Sequence, residues 1–347
     1  MCEDAKGGEL IQGEVEMKKL AVLIAFATAL VWTGCGSSNS GKVAYLTTES
    51  GNPVMYTFSS DGATSTKAPF TLPTDGFYFV ANRDATEVTY CKYDGDTGLV
   101  HVYLMDSKGT EKQLSQLDSC YPTFTPDGKT VVFNAYTDGS VKIYTVKIDG
   151  TGEKMIVGDA NSDNYSPMVS PNGAQILYFH YDYSNNVGTS ASLWTKRVSV
   201  LRSGKKLDYS GTKSMQPNVT FSTTTGMYIA KIDGTGATEV VEDPNYDLDT
   251  AVFSSDGKSI YFGTYQFGSN EQIASVKIDG SSLKNVSNDL NNDEFWPAAY
   301  NGQIYFNRYD CSSTCNYEIF RMKADGSEKK NLTNTPDQDE YIGAYWD

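Results

Sequence analysis

The 347 residues include only two histidines, His101 and His180, so chemistry built on several imidazoles around a metal has almost nothing to use. No Cys-x-x-Cys or paired-histidine spacing occurs, which argues against a cysteine-rich zinc site. Gly-x-Ser-x-Gly is missing, and so is any helix-patterned stretch that could build a hydrolase partner domain. No glycine-rich loop follows a strand and opens a helix, so a phosphate cradle is not expected. Cations are scarce: 28 Lys and Arg face 43 Asp and Glu, a formal net charge of −15. Phosphate backbones repel such a surface, which argues against a nucleic-acid partner. The longest apolar run, Leu20 to Trp32, falls short of the roughly 20 residues that cross a bilayer.

What is present favours strands and turns. Apolar residues make up 39% of the chain and aromatics 12%, enough for a real core, and Tyr (24) and Gly (31) are abundant.

The basic start Met17-Lys18-Lys19, the apolar run to Trp32 and Thr33-Gly34-Cys35 read as a secretory signal peptide. Residues 1–16 are acidic and precede that start, so they are read as a spurious upstream extension. The Gly34-Cys35 junction resembles a bacterial lipobox, with Trp32 where that pattern usually has Leu. The resemblance implies lipidation of Cys35; ordinary cleavage nearby is the alternative. Export follows from both, and the lipobox reading places the chain in the periplasm, anchored to the outer membrane. Residues 36–41 then form a flexible linker, and residues 42–347 the folded domain, itself acidic with 25 basic and 38 acidic residues.

Beyond Cys2 and Cys35 four cysteines remain, an even number for an oxidising compartment. Cys311 and Cys315 flank Ser-Ser-Thr and can close a small loop, which leaves Cys91 and Cys120 as the other pair. Three pairings are open, as is the reading of unpaired buried thiols.

A repeat runs through the domain. Asp-Gly occurs ten times and Asn-Gly twice, the strongest local hairpin signal when flanked by apolar alternation. One set of turns ends a strand, as in Lys147-Ile-Asp-Gly150, Lys231-Ile-Asp-Gly234, Lys277-Ile-Asp-Gly280 and Lys323-Ala-Asp-Gly326. The other opens one, as in Thr125-Pro-Asp-Gly-Lys129, Ser170-Pro-Asn-Gly173, Ser255-Asp-Gly-Lys258 and Tyr300-Asn-Gly302. Asp75, Asp118, Asp163, Asp247, Asp293 and Asp339 set the register, each four residues before Phe79, Pro122, Pro167, Ala251, Pro297 or Gly343. Their steps are 43, 45, 84, 46 and 46 residues, the long one close to two units.

Units of this length with about four strands each predict an all-β, single β-propeller. A degenerate unit in the long gap, with Lys213 and Pro217 in register, makes seven blades; residues 182–225 as an insertion in a six-bladed ring is the alternative. Asp339 to Trp346 reads as the first strand of a unit, and Val43 to Thr47 as a second strand. The ring is therefore expected to close with N- and C-terminal strands in one blade.

The stretch Asp118 to Lys129, followed by an Ile-Tyr strand and Lys-Ile-Asp-Gly, resembles the Pro-Asp variant of the WD-type repeat in TolB-like periplasmic proteins. The resemblance covers residues 42–347 and implies a non-catalytic propeller that binds other envelope proteins at one end of its channel. TolB carries a small α/β domain before its propeller, and here the propeller follows the linker directly.

Within that frame the six aspartates are read as one ring at a channel mouth, where each carboxylate accepts backbone N–H groups in an interblade turn. Six carboxylates relieved only by Lys213 would also attract a basic partner segment or a cation such as calcium, although no cofactor is required. Tyr121, Tyr165, Phe295, Trp296 and Tyr341 beside the ring are candidates for a recognition rim or for blade packing. The clusters Asp94-Gly-Asp96 and Asp159 to Asp163 miss the full calcium-loop pattern. Both histidines are expected to be partly buried and hydrogen-bonded. Two function classes result: a monomeric envelope scaffold that binds a protein or peptide, or a glycan- or peptide-processing enzyme with carboxylates at the mouth.

Overall fold

The computed structural model describes residues 28–30, 42–49, 52–59, 64–182, 225–242, 248–310 and 316–333, and within them the chain is all β. Six four-stranded sheets form. The first holds β1 (Thr28–Leu30), β2 (Lys42–Glu49), β3 (Asn52–Phe58) and β4 (Ser65–Lys67), and the second β5 (Gly76–Ala81), β6 (Glu87–Asp94), β7 (Leu99–Asp106) and β8 (Glu111–Gln113). The third holds β9 (Asp118–Phe124), β10 (Thr130–Thr137), β11 (Ser140–Lys147) and β12 (Lys154–Val157). The fourth holds β13 (Ser162–Val169), β14 (Gln175–Asp182), β15 (Thr225–Lys231) and β16 (Thr238–Glu242). The fifth holds β17 (Leu248–Phe253), β18 (Ser259–Thr264), β19 (Gln272–Lys277) and β20 (Lys284–Asn285), and the sixth β21 (Asp293–Tyr300), β22 (Gln303–Asp310), β23 (Asn316–Lys323) and β24 (Lys330–Asn331).

The strands form where the sequence alternates β-branched and aromatic residues, and the turns between them are fixed by their own side chains. In Lys147-Ile-Asp-Gly150 the Gly150 N–H reaches the Lys147 carbonyl at 2.8 Å. Asp149 Oδ1 accepts the Thr151 N–H at 2.9 Å and its hydroxyl at 2.7 Å. The same bonds recur at Asp233 with Thr235, Asp279 with Ser281 and Asp325 with Ser327. Glycine is needed here twice over. Gly234 and Gly326 have φ of 85° and 86°, and a Cβ on them would run into the carbonyls of Ile156 and Val286 on the preceding sheet.

The sheets stack as the blades of a propeller. First strands touch one another, β5 with β9, β9 with β13, β13 with β17, β17 with β21 and β21 with β1, which puts them innermost. The fourth strands lie outermost, short and tipped with exposed Lys67, Lys112, Lys154, Lys284 and Lys330, a charge pattern that discourages edge pairing. Apolar seams fill the gaps between sheets. Met55, Phe79 and Tyr90 join the first two, Leu104, Phe124 and Phe133 the next pair, and Ile143, Ile176 and Tyr178 the third and fourth. Phe58 of the first sheet belongs to the same cluster as Tyr261, Ile304 and Tyr305 of the last two.

The count of six among the described residues departs from the seven-unit reading. Residues 225–231 and 238–242, which follow the long gap, are the third and fourth strands of the sheet that Asp163 opens. The long step therefore falls inside one blade, between β14 and β15. Lys213 and Pro217 lie outside the described residues, as do Cys311 and Cys315.

Cys91 of β6 and Cys120 of β9 form a disulfide, with a Cα–Cα distance of 5.4 Å. It ties the second sheet to the third at a site where both residues are buried. Replacing both cysteines by alanine is expected to lower unfolding free energy by about 2–4 kcal/mol. Denaturant melts with and without reductant check this: the reductant effect should vanish in the double variant.

Candidate functional site

The aspartates of the repeat sit at the start of the first strands, and a bulge follows each described one. Tyr78, Tyr121, Ser166 and Trp296, three residues past Asp75, Asp118, Asp163 and Asp293, have φ between 49° and 56°. The pairing register slips at each of these points. A bulge leaves an N–H out of the ladder, which explains why Pro122, Pro167 and Pro297 are accepted inside inner strands.

Three carboxylates clasp the neighbouring blade. Asp118 Oδ1 accepts the Val100 N–H at 2.9 Å, Asp163 Oδ1 the Val141 N–H at 2.7 Å, and Asp293 Oδ1 the Glu271 N–H at 2.8 Å. Each donor lies at the start of the third strand of the preceding sheet. Asp163 also accepts the Tyr165 hydroxyl at 2.9 Å and is 1% exposed.

Asp75 differs for a covalent reason. The matching place in the first sheet, six residues before the β3–β4 turn, is Pro53, which has no N–H to donate. Asp75 instead pairs with Lys92 at 3.1 Å, and Lys92 also reaches Glu111 at 3.3 Å. This corrects the expectation that Lys213 alone relieves the ring. Asp247 and Asp339 lie outside the described residues.

A charged quartet that sequence reasoning missed joins the fifth and sixth sheets. Glu294, fully buried, accepts Arg308 at 3.0 and 2.7 Å and Lys329 at 2.7 Å. Asp289 bonds Arg308 as well, and Lys329 donates to the Ser287 carbonyl at 3.0 Å. Burial works to raise the Asp289 carboxyl, but the Arg308 cation, hydrogen bonds from the Asn291 N–H and the Asn292 amide, and the Lys329 cation together hold it below its ordinary value. The hydrogen-bonded acid–base pairs lie 14, 19 and 35 residues apart along the chain, so only the fold brings the opposite charges together.

The histidines have partners. His101 Nδ1 lies 2.8 Å from the Leu117 carbonyl, and His180 Nδ1 lies 2.9 Å from Asn164 Oδ1. Burial pushes the His180 imidazole below its usual value. Asp94 Oδ1 accepts the Asp96 N–H at 2.9 Å and Asp159 Oδ1 the Asn161 N–H at 2.7 Å, so both head Asx turns. Among the described residues no group of three or more His, Cys, Asp or Glu is placed to hold a metal ion.

Of the aromatic candidates, Tyr165 and Phe295 are core residues, 4% and 8% exposed. Tyr121 and Trp296 are half-buried on their bulges. The Tyr78 and Tyr121 hydroxyls meet at 3.0 Å across two blades, with ring centroids 4.5 Å apart. Tyr341 and Cys35 lie outside the described residues.

The two ends of the blades differ. At one end, Asp127, Asp149, Asp233, Asp256, Asp279 and Asp325 sit in turns beside Lys129, Lys147, Lys231, Lys258, Lys277 and Lys323. At the aspartate end the connections vary in length and carry Asp94, Asp96, Asp138, Asp159 and Asp182, while Lys92, Lys142 and Arg308 are ion-paired. Among the described residues that end carries an excess of acid.

Removing a clasp should cost more than removing a surface pair. Asp163→Ala is expected to lose about 1–3 kcal/mol, because it strands a buried N–H. Asp75→Ala should lose no more than about 1 kcal/mol. Urea denaturation of the two variants checks the order.

Acid should destabilise the fold in two stages. Burial holds the His180 imidazole below its ordinary value of 6.5 in the folded chain, so the unfolded chain takes up that proton first and stability falls as pH drops through and below 6.5. Side-chain hydrogen bonds from Thr151, Thr235, Ser281 and Ser327 hold Asp149, Asp233, Asp279 and Asp325 below 3.8. Their contribution is complete above that value and lost as pH falls below it. Melting temperature against pH checks both, and His180→Gln should remove the first decline.

No family model matches the chain. An uncharacterised protein of Agrobacterium fabrum, Atu1656, is 28% identical over 137 residues, covering 39% of this chain and 45% of that protein. The Tol-Pal system protein TolB of Francisella tularensis is 25% identical over 212 residues, covering 55% and 46%. The chain spans about half the length of these curated relatives. Among solved structures, TolB from Acinetobacter baumannii superposes with a TM-score of 0.58 at 18% identity, over 90% of this chain and 68% of that one. Oligogalacturonate lyase from Vibrio parahaemolyticus gives 0.52 at 12%, over 90% and 73%. Both likenesses are of fold.

Proposed function

We propose that this chain, a TolB-like β-propeller, is an exported scaffold, lipid-anchored through Cys35, that binds an envelope protein at its aspartate end. The observation that carries this reading is the inequality of the two ends. One is a set of near-identical turns whose acids are neutralised by adjacent lysines. The other has unlike connections and, among the described residues, an excess of acid, which favours a cationic segment of a partner. The three clasping carboxylates belong to the scaffold, so recognition falls to the exposed acids, above all Asp94, Asp96 and Asp138, the last of which also pairs with Lys142 at 3.2 Å.

Chemical cross-linking in intact envelopes, read by mass spectrometry, tests the proposal. A partner should be recovered through lysines linked to the connections that hold Asp94 and Asp138. Asp94→Asn with Asp138→Asn should reduce its yield at low salt without shifting the melting temperature. Links confined to the lysine-rich turns, or turnover of envelope glycan by the purified chain, would overturn it. The mass of the N-terminal peptide reports separately whether Cys35 is lipidated.

A further inference from the structure

Two Asn-Gly pairs stand in turns that lead from a first strand to a second, Asn172-Gly173 and Asn301-Gly302, and the fold treats them differently. The first is held at every reacting atom. Asn172 Oδ1 accepts the Ser170 hydroxyl at 2.8 Å and the Ala174 N–H at 3.0 Å, and the Gly173 N–H donates to the Ser170 carbonyl at 2.8 Å. Asp127 and Asp256 occupy the same place in their turns with the same set of bonds. Such a network fixes the side-chain carbonyl and the following peptide together, so neither turns without breaking hydrogen bonds.

Asn301-Gly302 is built otherwise. Tyr300 faces Gln303 directly, so these two residues alone span the turn, with φ of 47° and 71°. Both are exposed. Among the described residues neither the Asn301 side chain nor the Gly302 N–H has a hydrogen-bond partner, and a Cβ on Gly302 would meet nothing within 4 Å. The nitrogen that must act as nucleophile is thus open to solvent here, and it is tied down in the other turn.

We infer that Asn301 is a site of self-modification in the folded chain, by intramolecular cyclisation and hydrolysis. The Gly302 nitrogen bonds to Asn301 Cγ and the bond from Cγ to the side-chain nitrogen breaks. That nitrogen leaves as ammonia, carrying the proton the Gly302 nitrogen gives up, and a succinimide ring remains. Solvent water then opens the ring. Attack at Cγ yields aspartate, and attack at the main-chain carbonyl yields isoaspartate. The net change consumes one water and releases one ammonia.

The two products affect the blade differently. Asp138-Gly139 already spans a two-residue turn between Thr137 and Ser140, with φ of 52° and 85°, so the hairpin accepts aspartate. Isoaspartate inserts a methylene into the backbone of the turn and disturbs the register of Tyr300 with Gln303. The neighbouring Ala299, Ile304 and Tyr305 belong to one buried apolar cluster, so the inner hairpin of the sixth sheet is where the folded chain ages.

Peptide mass spectrometry of the full chain, held native or denatured in mildly alkaline buffer and sampled over time, tests the inference. In the native chain the peptide holding Asn301 should gain about 1 Da and split into two species of different elution, while the Asn172 peptide stays unchanged. In the denatured chain both peptides should gain it at comparable rates. Equal gain at both sites in the native chain would overturn the inference, as would gain at Asn172 first. So would a native chain unchanged at Asn301 while the denatured chain reacts there. Asn301→Asp, which starts from the aspartate product, should melt at the temperature of the fresh chain, and the isoaspartate-enriched aged chain should melt lower. An aged chain that melts with the fresh one would overturn the assigned effect on the blade.

Discussion

A four-stranded sheet that is apolar on both faces cannot stand in water alone, and the rest of this molecule follows from covering those faces. Each blade uses its neighbours for that purpose, so stability resides in the seams. The seams are secured in more than one way. Side chains such as Tyr90, Phe133, Tyr305 and Phe306 fill them. Gly234 and Gly326 let a turn lie directly on the carbonyls of the preceding blade. Carboxylates of Asp118, Asp163 and Asp293 satisfy N–H groups across the gap. The Cys91–Cys120 bond and the Glu294 quartet fasten two seams further.

This division of labour bears on function. An aspartate that must accept a buried N–H is not at liberty to bind a ligand, so the repeated acids are scaffold before they are surface. Their common position still matters, because it places a negative field at the end where the connections are least alike. The opposite end, with its self-bonded turns, offers any partner the same motif several times over and little to distinguish one blade from another.

Much of this was legible in the sequence. Asp-Gly turns between alternating strands, and a carboxylate recurring at a fixed distance from an apolar or proline position, gave the class of fold, the hairpins and the place of the clasps. Cys91 with Cys120, one of the pairings the sequence left open, is the bond that forms. What could not be read was anything depending on who meets whom across a seam. Asp75 carries the same signature as Asp118, yet its partner blade offers Pro53, and so it turns to Lys92. Arg308 and Lys329 have no sequence mark that would send them to Glu294.

The blade count shows the same boundary. A repeat fixes the period of the chain, because turns and alternation are local and each is set by a few adjacent residues. It does not fix which strands share a sheet, because hydrogen-bonded pairing across residues 183–224 is decided by the edges that meet in space. The sequence by itself determined an acidic, all-β propeller whose recurring aspartates accept backbone N–H groups between blades. Only the tertiary structure decided that β15 and β16 complete the blade of Asp163, and which of the carboxylates are committed to the scaffold, since both depend on the groups that a neighbouring blade presents.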